Sequence, residues 1–185
     1  MYFRKNRKMP EPHTYARVER ERRFLLGQFP TGVNVVGTRR IHDRYVADTT
    51  LRLRELQADG RAPVFKLTQK LSAPASGAQQ GLITTMYLAE SEFRLLAQFP
   101  ANEIRKTRYS VPPFGIDVFH DTLEGLFLAE AEFDTPLEAD ALALPSFILR
   151  EVSADRRFTG GELARASRRD LQFLLLENGI SSISL

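Results

Sequence analysis

Residues 16–26 read "ARVERERRFLL", and the direction in which the alternate side chains of this stretch point decides the fold. Extended backbone sends successive side chains to opposite faces. Glu19, Glu21 and Arg23 therefore share one face of a strand, while Val18 stands on the other. A strand charged on one side and apolar on the other can border a half-solvated sheet, or it can line a polar interior.

Composition limits the setting. The chain has 185 residues, of which 43% are hydrophobic and 26% charged. That suits one sizeable core, and a single domain over residues 14–185 is the simplest expectation, with residues 1–13 a basic, proline-broken, disordered arm. There are no cysteines. Disulfides, thiolate metal sites and cysteine nucleophiles are excluded. The opening "MYFRKNRKMPEPH" has no apolar secretory core, and no later window approaches the roughly 18 apolar residues of a membrane span. A cytoplasmic protein with no membrane partner is the default. A formal charge of +3 and a pI near 9.4 permit a polyanionic ligand but are too mild to argue for nucleic acid.

Period-two segments dominate the first two thirds. "RIHDRYVADTTLRLRELQ" predicts two strands meeting near Asp48, and "APVFKLTQKLS" and "GLITTMYLA" follow across the loop "APASGAQQ". "AESEFRLLAQF" has helical spacing, with Phe93, Leu96 and Ala97 on one face. "NEIRKTRYSV", "FGIDVFHD" and "LFLAEAEFD" return to strands, joined by turns carrying Pro112, Pro113 and Gly125. The strand count reaches about eight. In the tail, "PLEADALALPSF" predicts a short helical piece, and "GGELARASRRDLQFLLLENG" predicts an amphipathic helix ended by Gly179. Its apolar face packs on the sheet, or forms a homodimer seam.

Alternation gathers charge by sign. Arg52 and Arg54 share a face, as do Lys66, Thr68 and Lys70, then Lys106 and Arg108, and finally Glu130 and Glu132. The opposite faces carry Leu51, Leu53, Phe65, Leu67, Ala129, Ala131 and Phe133. One arrangement turns the charged faces to solvent from an ordinary antiparallel sheet. The other curls the sheet into a barrel with the charges inside and helices over its apolar outside. Like charges two residues apart repel, so paired glutamates call for a compensating cation. Mg²⁺ prefers carboxylate and water oxygens, and converging Arg and Lys suit phosphate.

At this point the residues carry a resemblance. "VERERRF" resembles the Glu-x-Glu-x-Lys signature of the CYTH superfamily, the triphosphate tunnel metalloenzymes, with Arg23 where the signature has Lys. "LRLRE" is similar to the family's Arg-x-Arg strand, "FKLTQK" to its basic strand ending in Lys70, and "KTRY" to its Lys-x-Arg strand. "GIDVFHDTLEGLFLAEAEF" resembles the segment in which an Asp-containing strand leads into Glu-x-Glu. "REVSADRRFTGGELA" resembles its closing segment, where Glu151, Asp155 and Arg157 match acidic and basic positions. The likeness runs from about Thr14 to Leu163 and suits a short, bacterial-type tripolyphosphatase-like member.

The resemblance implies an α+β fold, an eight-stranded antiparallel β-barrel or tunnel with flanking helices. It implies a divalent-metal-dependent hydrolase that releases orthophosphate from a triphosphate or polyphosphate, inorganic tripolyphosphate leading. Glu19, Glu21, Glu130 and Glu132 would hold Mg²⁺ or Mn²⁺. Arg52, Arg54, Lys66, Lys70, Lys106, Arg108 and Arg157 would bind substrate. Glu19, Glu21, Arg23 and Asp117 would take part in catalysis, Asp117 as a proton acceptor or a carboxylate behind the metal ligands. Two departures stand out. Arg23 has a broader fork than Lys, and the strand "GLITTMYL" offers Thr84 and Thr85 where active members often carry glutamates. A noncatalytic triphosphate-binding protein and a class IV-type adenylyl cyclase are the alternatives. His13, His42 and His120 are scattered and expected to be structural.

Overall fold

The computed structural model of the protein describes residues 15–72 and 80–181. The expected arm at 1–13, with His13, and most of the loop at 73–80 lie outside the described residues. Among those described, the strands are β1 (Arg17–Leu26), β2 (Gly37–Val46), β3 (Leu51–Ala58), β4 (Val64–Ser72), β5 (Gln80–Leu88), β6 (Ala101–Val111), β7 (Phe114–Phe119), β8 (Phe127–Glu132) and the two-residue β9 (Arg150–Glu151). The helices are α1 (Glu90–Leu96), α2 (Pro136–Asp140), α3 (Gly160–Leu163) and α4 (Arg168–Glu177). None is long and apolar enough to cross a membrane.

Antiparallel pairing runs in the order β5-β4-β3-β2-β6-β7-β8-β1, and β1 then pairs back onto β5 through Arg17↔Ile83 and Glu19↔Gly81. The sheet closes on itself. The eight-stranded antiparallel barrel expected of "VERERRF" and its companions is the observed fold. β9 extends the second half of β1, opposite Phe24 and Leu25. Closure removes the exposed edges that an open sheet of this length would present. The β2–β3 hairpin turns at Asp48, whose φ of 57° lies in the left-handed region that Asp tolerates better than most residues. The two strands meet where the alternation placed them.

Apolar residues divide between the outside and one end of the barrel. Phe24, Leu26, Ile116, Ala129 and Ala131 are buried on the outer face beneath Phe147 and Ile148. Phe65 packs at 4.7 Å against Phe93 of α1. Leu25, Ile104, Phe119 and Leu128 have the inward parity of Arg23, Lys106, Asp117 and Glu130, and they cluster with Phe158, Leu163, Leu171, Leu174 and Leu175. This cluster forms an apolar floor. Full burial of each such side chain contributes about 1.5–3 kcal/mol.

The single helix expected over residues 160–179 is two helices. Ser167 Oγ accepts from the Asp170 amide at 3.2 Å, and the Asp170 carboxylate accepts from the Ser167 amide at 2.9 Å. Such a reciprocal cap starts a new helix and lets the chain bend across the barrel end. The buried face of α4 packs on the floor, as the first of the two expectations had it. α3 approaches Tyr45 so closely that a Cβ on Gly160 would sit 1.9 Å from the tyrosine hydroxyl oxygen.

A charged cavity inside the barrel as candidate active site

The barrel encloses a cavity of about 670 Å³. Its lining includes Glu19, Glu21 and Arg23 of β1, Arg52 and Arg54 of β3, Lys66 and Lys70 of β4, Lys106 and Arg108 of β6, and Glu130 and Glu132 of β8. Every charged face picked out by alternation points inward. Phe119, Leu128, Phe158 and Leu163 line its inner end. Exposed Tyr15 and Tyr87 belong to the same lining.

Two aspartates behind the lining hold the basic wall. Arg54 donates through Nε and Nη2 to the two oxygens of Asp43 at 2.5 and 2.6 Å, and Arg52 Nε lies 3.8 Å from Asp43 Oδ1. Arg108 donates to both oxygens of Asp117 at 2.6 Å, and Lys106 Nζ donates to the same carboxylate. Asp43 is 1% exposed and Asp117 is 0%. Burial works against the Asp43 charge, but Arg54 and Arg52 outweigh it and hold the carboxyl below the usual carboxylate range. Burial is also the largest influence on Lys106 and draws its ammonium below the ordinary lysine range, despite Asp117. The Tyr45 hydroxyl, buried beside Asp43, is pushed up to about 12. Such fork-shaped Arg–carboxylate pairs fix orientation as well as charge.

The glutamates are held differently. Glu19 pairs with Lys70 at 2.7 Å, Glu21 with Arg23, and Glu130 with Arg108 and, at 3.3 Å, with Arg23 Nε. Burial, then the negative charges of Glu130 and Glu19, push the Glu21 carboxyl above its usual value. Glu130 moves the other way: burial opposes its charge, but Arg108, Lys106 and Arg23 hold it well below. Arg23 is 4% exposed, and its Nη1 is buried without a partner. An unsatisfied guanidinium donor beside the cavity is a ready contact for an anionic oxygen. Glu132 stands opposite Glu21 in the β1–β8 register and is exposed.

Three expectations are corrected or narrowed. Asp117 does not line the cavity, and cations occupy both its oxygens, so it positions Lys106 and Arg108 and does not meet water. Arg157 lies outside the cavity, bound to Asp155 and Glu177. Of the two β5 threonines only Thr85 lines the cavity, its hydroxyl 3.2 Å from that of buried Thr68. Lys66 does line it, with Nζ 4.9 Å from the centre of the Tyr87 ring. Glu151 binds Arg22 on the outer face of β1, and His42 and His120 pair with Glu103 and Thr107. Sequence reasoning missed Asp43 and Tyr45. The available signal was an acid at period two with Ile41 and Tyr45 in "IHDRY".

The glutamates offer hard carboxylate oxygens, and the upward shift of Glu21 marks crowded negative charge that a cation would relieve. That donor chemistry fits a divalent ion such as Mg²⁺ or Mn²⁺. Among the described residues, no three carboxylate or imidazole groups are gathered closely enough to hold a metal as they stand.

No family model matches the chain. The chain is similar to the inorganic triphosphatase of Nitrosomonas europaea, with 31% identity over 156 residues that cover 79% of this chain and 96% of the relative. Two crystal structures of NE1496 are also similar. One, described as an inorganic triphosphatase, has 26% identity and a TM-score of 0.53 over 80% of this chain and 95% of that one. The other, described as a hypothetical protein, has 27% identity and a TM-score of 0.54 over 80% and 99%. On this identity and coverage, together with the shared barrel, the chain belongs to the family of the Nitrosomonas europaea inorganic triphosphatase.

Proposed function

We propose that the protein is a divalent-metal-dependent triphosphatase of the CYTH type, acting on inorganic tripolyphosphate and releasing orthophosphate and diphosphate. The observation that carries this reading is the convergence of Arg23, Arg52, Arg54, Lys66, Lys70, Lys106 and Arg108 with Glu19, Glu21, Glu130 and Glu132 around one cavity. A tripolyphosphate carries four to five negative charges near neutral pH. Only charged donors compensate for taking such an anion out of water. Arg52, Arg54, Lys106 and Arg108 bind its oxygens from a prefixed wall, and Lys70 and Lys66 extend that wall on β4. Arg23, with a free N–H, meets charge that develops on the reacting phosphoryl group.

Glu19, Glu21, Glu130 and Glu132 would hold Mg²⁺ or Mn²⁺, exchanging part of their present pairing with Lys70, Arg23 and Arg108. When bound, such an ion supplies Lewis acidity toward phosphate oxygens and toward water. The apolar floor keeps bulk water from the inner end. Hydrolysis breaks the terminal P–O–P bridge, the water oxygen joining the terminal phosphorus and the diphosphate leaving with the bridging oxygen.

The test is phosphate release from tripolyphosphate by purified protein with Mg²⁺ or Mn²⁺ and with EDTA, beside ATP and thiamine triphosphate. Metal-dependent release, fastest on tripolyphosphate, is expected; release that persists in EDTA overturns the metal assignment. Thr85 on the β5 wall favours a second reading, a triphosphate-binding protein without turnover. Its signature is a raised melting temperature with tripolyphosphate and no release.

A further inference from the structure

The basic wall poses a physical problem. Arg52 and Arg54 from β3 and Lys106 and Arg108 from β6 line one side of a single cavity, and four cations so arranged repel one another. Without an anion they would splay, or the lysine would lose its proton. Asp117 answers the problem for β6. Asp43 answers it for β3, from a place at 1% exposure behind the lining. Its two oxygens fill the Nε–Nη2 edge of Arg54, the same edge a phosphate would take in fork-like contact. The remaining Arg54 N–H groups are thereby oriented.

We propose that Asp43 is a positioning residue, a built-in stand-in for substrate charge that holds Arg52 and Arg54 in binding geometry and moderates the affinity of the wall for polyphosphate. The proposal rests on the triphosphatase reading above. Its consequence is a split in kinetic constants. A neutral amide at residue 43 leaves Arg52 and Arg54 short of a counter-charge, so an anion from solution is drawn in more strongly. The same amide accepts one hydrogen bond where the carboxylate accepted two, so the arginines lose fixed orientation and the chemical step slows. A merely structural role would reduce the folded fraction, lowering kcat with KM unchanged.

The experiment compares wild type and Asp43→Asn for tripolyphosphate hydrolysis and for the rise in melting temperature that tripolyphosphate causes. The expected result is a KM lowered several-fold, a kcat lowered about tenfold and a larger ligand-induced rise than in wild type. An unchanged or raised KM overturns the proposal. Should Asp43→Asn fail to fold, the double variant Asp43→Asn with Arg52→Gln, which removes one cation along with the anion, is expected to fold and to bind tripolyphosphate. A double variant that also fails to fold overturns the proposal, because Asp43 would then serve packing and not charge. If wild type neither binds nor hydrolyses tripolyphosphate, the triphosphatase reading falls and takes this one with it; if wild type does both and the variant shows no split, this inference alone falls.

Discussion

Asp43 and Asp117 on one side of the barrel and Glu19, Glu21 and Glu130 on the other are acids of equal charge, all facing arginine or lysine, yet they are held in different ways. The aspartates lie behind the lining with both oxygens engaged, on short side chains that rigid strands place between two cations. The glutamates reach into the cavity on longer side chains and share their partners, Arg23 bridging Glu21 and Glu130 while Arg108 serves both Glu130 and Asp117. The pKa directions mark Glu21 as the exception, since Glu130, despite burial, is gripped by Arg108, Lys106 and Arg23 and held low as Asp43 is. Asp43 is drawn below its ordinary value despite burial, whereas burial and its neighbours lift Glu21 above. A carboxylate fixed between two cations stabilises the apo fold, and one that shares a cation is available to exchange it.

The largest effect that would break this comparison comes from Asp117. Asp117→Asn leaves Lys106 and Arg108 buried beside each other without their common anion, and removing one partner of a buried pair costs about 3–5 kcal/mol. Chemical denaturation should show a loss of this size. A loss below about 1 kcal/mol would mean that the wall holds itself and that the aspartates are no different from the glutamates.

On the glutamate side the loss should fall on turnover. Glu130→Gln removes a proposed metal ligand, and its effect on phosphate release should exceed the about 10–100-fold typical of a partner that only orients a ligand. Far-ultraviolet circular dichroism should remain that of the folded barrel. Unchanged release would remove Glu130 from the metal site and leave it an anchor for Arg108.

Glu21 gives a smaller effect of distinctive sign. Because its folded-state pKa is raised, the native chain keeps a proton there that the unfolded chain has already lost, so stability falls as pH rises from the usual carboxylate range through the raised value. Without metal, Glu21→Gln should flatten that fall and be more stable than wild type near pH 7. At pH 4 the two should converge. Melting temperatures across pH 4–7 in EDTA test this, and a variant less stable at pH 7 would place the Glu21–Arg23 pair with the fixed aspartates.

How much of this was open to sequence follows from the same contrast. Cavity-lining residues announce themselves by parity, since Glu19, Glu21 and Arg23, or Lys106 and Arg108, repeat every second position on strands whose other face is apolar. Parity left an open sheet and a closed barrel both standing, and the barrel was implied by the resemblance carried by "VERERRF" and its companions. Asp43 was not legible, because its period-two place with Ile41 and Tyr45 shows that it faces inward but not what it holds, and its meaning comes from Arg54 on the neighbouring strand, eleven residues away. Asp117 was visible, but its role was not, for nothing local says that its oxygens are already taken. The division of the tail into α3 and α4 was carried by Ser167 and Asp170, a capping signal inside a stretch whose apolar spacing suits one continuous helix.

Arg157 supplies the smallest effect and the control from outside the cavity. Its position in "SADRRF" suits a substrate contact, yet its guanidinium joins Asp155 beside the 156–158 turn to Glu177 at the end of α4. Solvent screens this pair far more than the buried ones, and exposed ion pairs contribute about 0–1 kcal/mol. Arg157→Ala should therefore leave KM for tripolyphosphate within about twofold of wild type and lower stability by no more than that surface value. A KM raised tenfold would mean that the α3–α4 end moves over the cavity when substrate binds, and the division between fixed and exchangeable charge would then extend beyond the barrel wall.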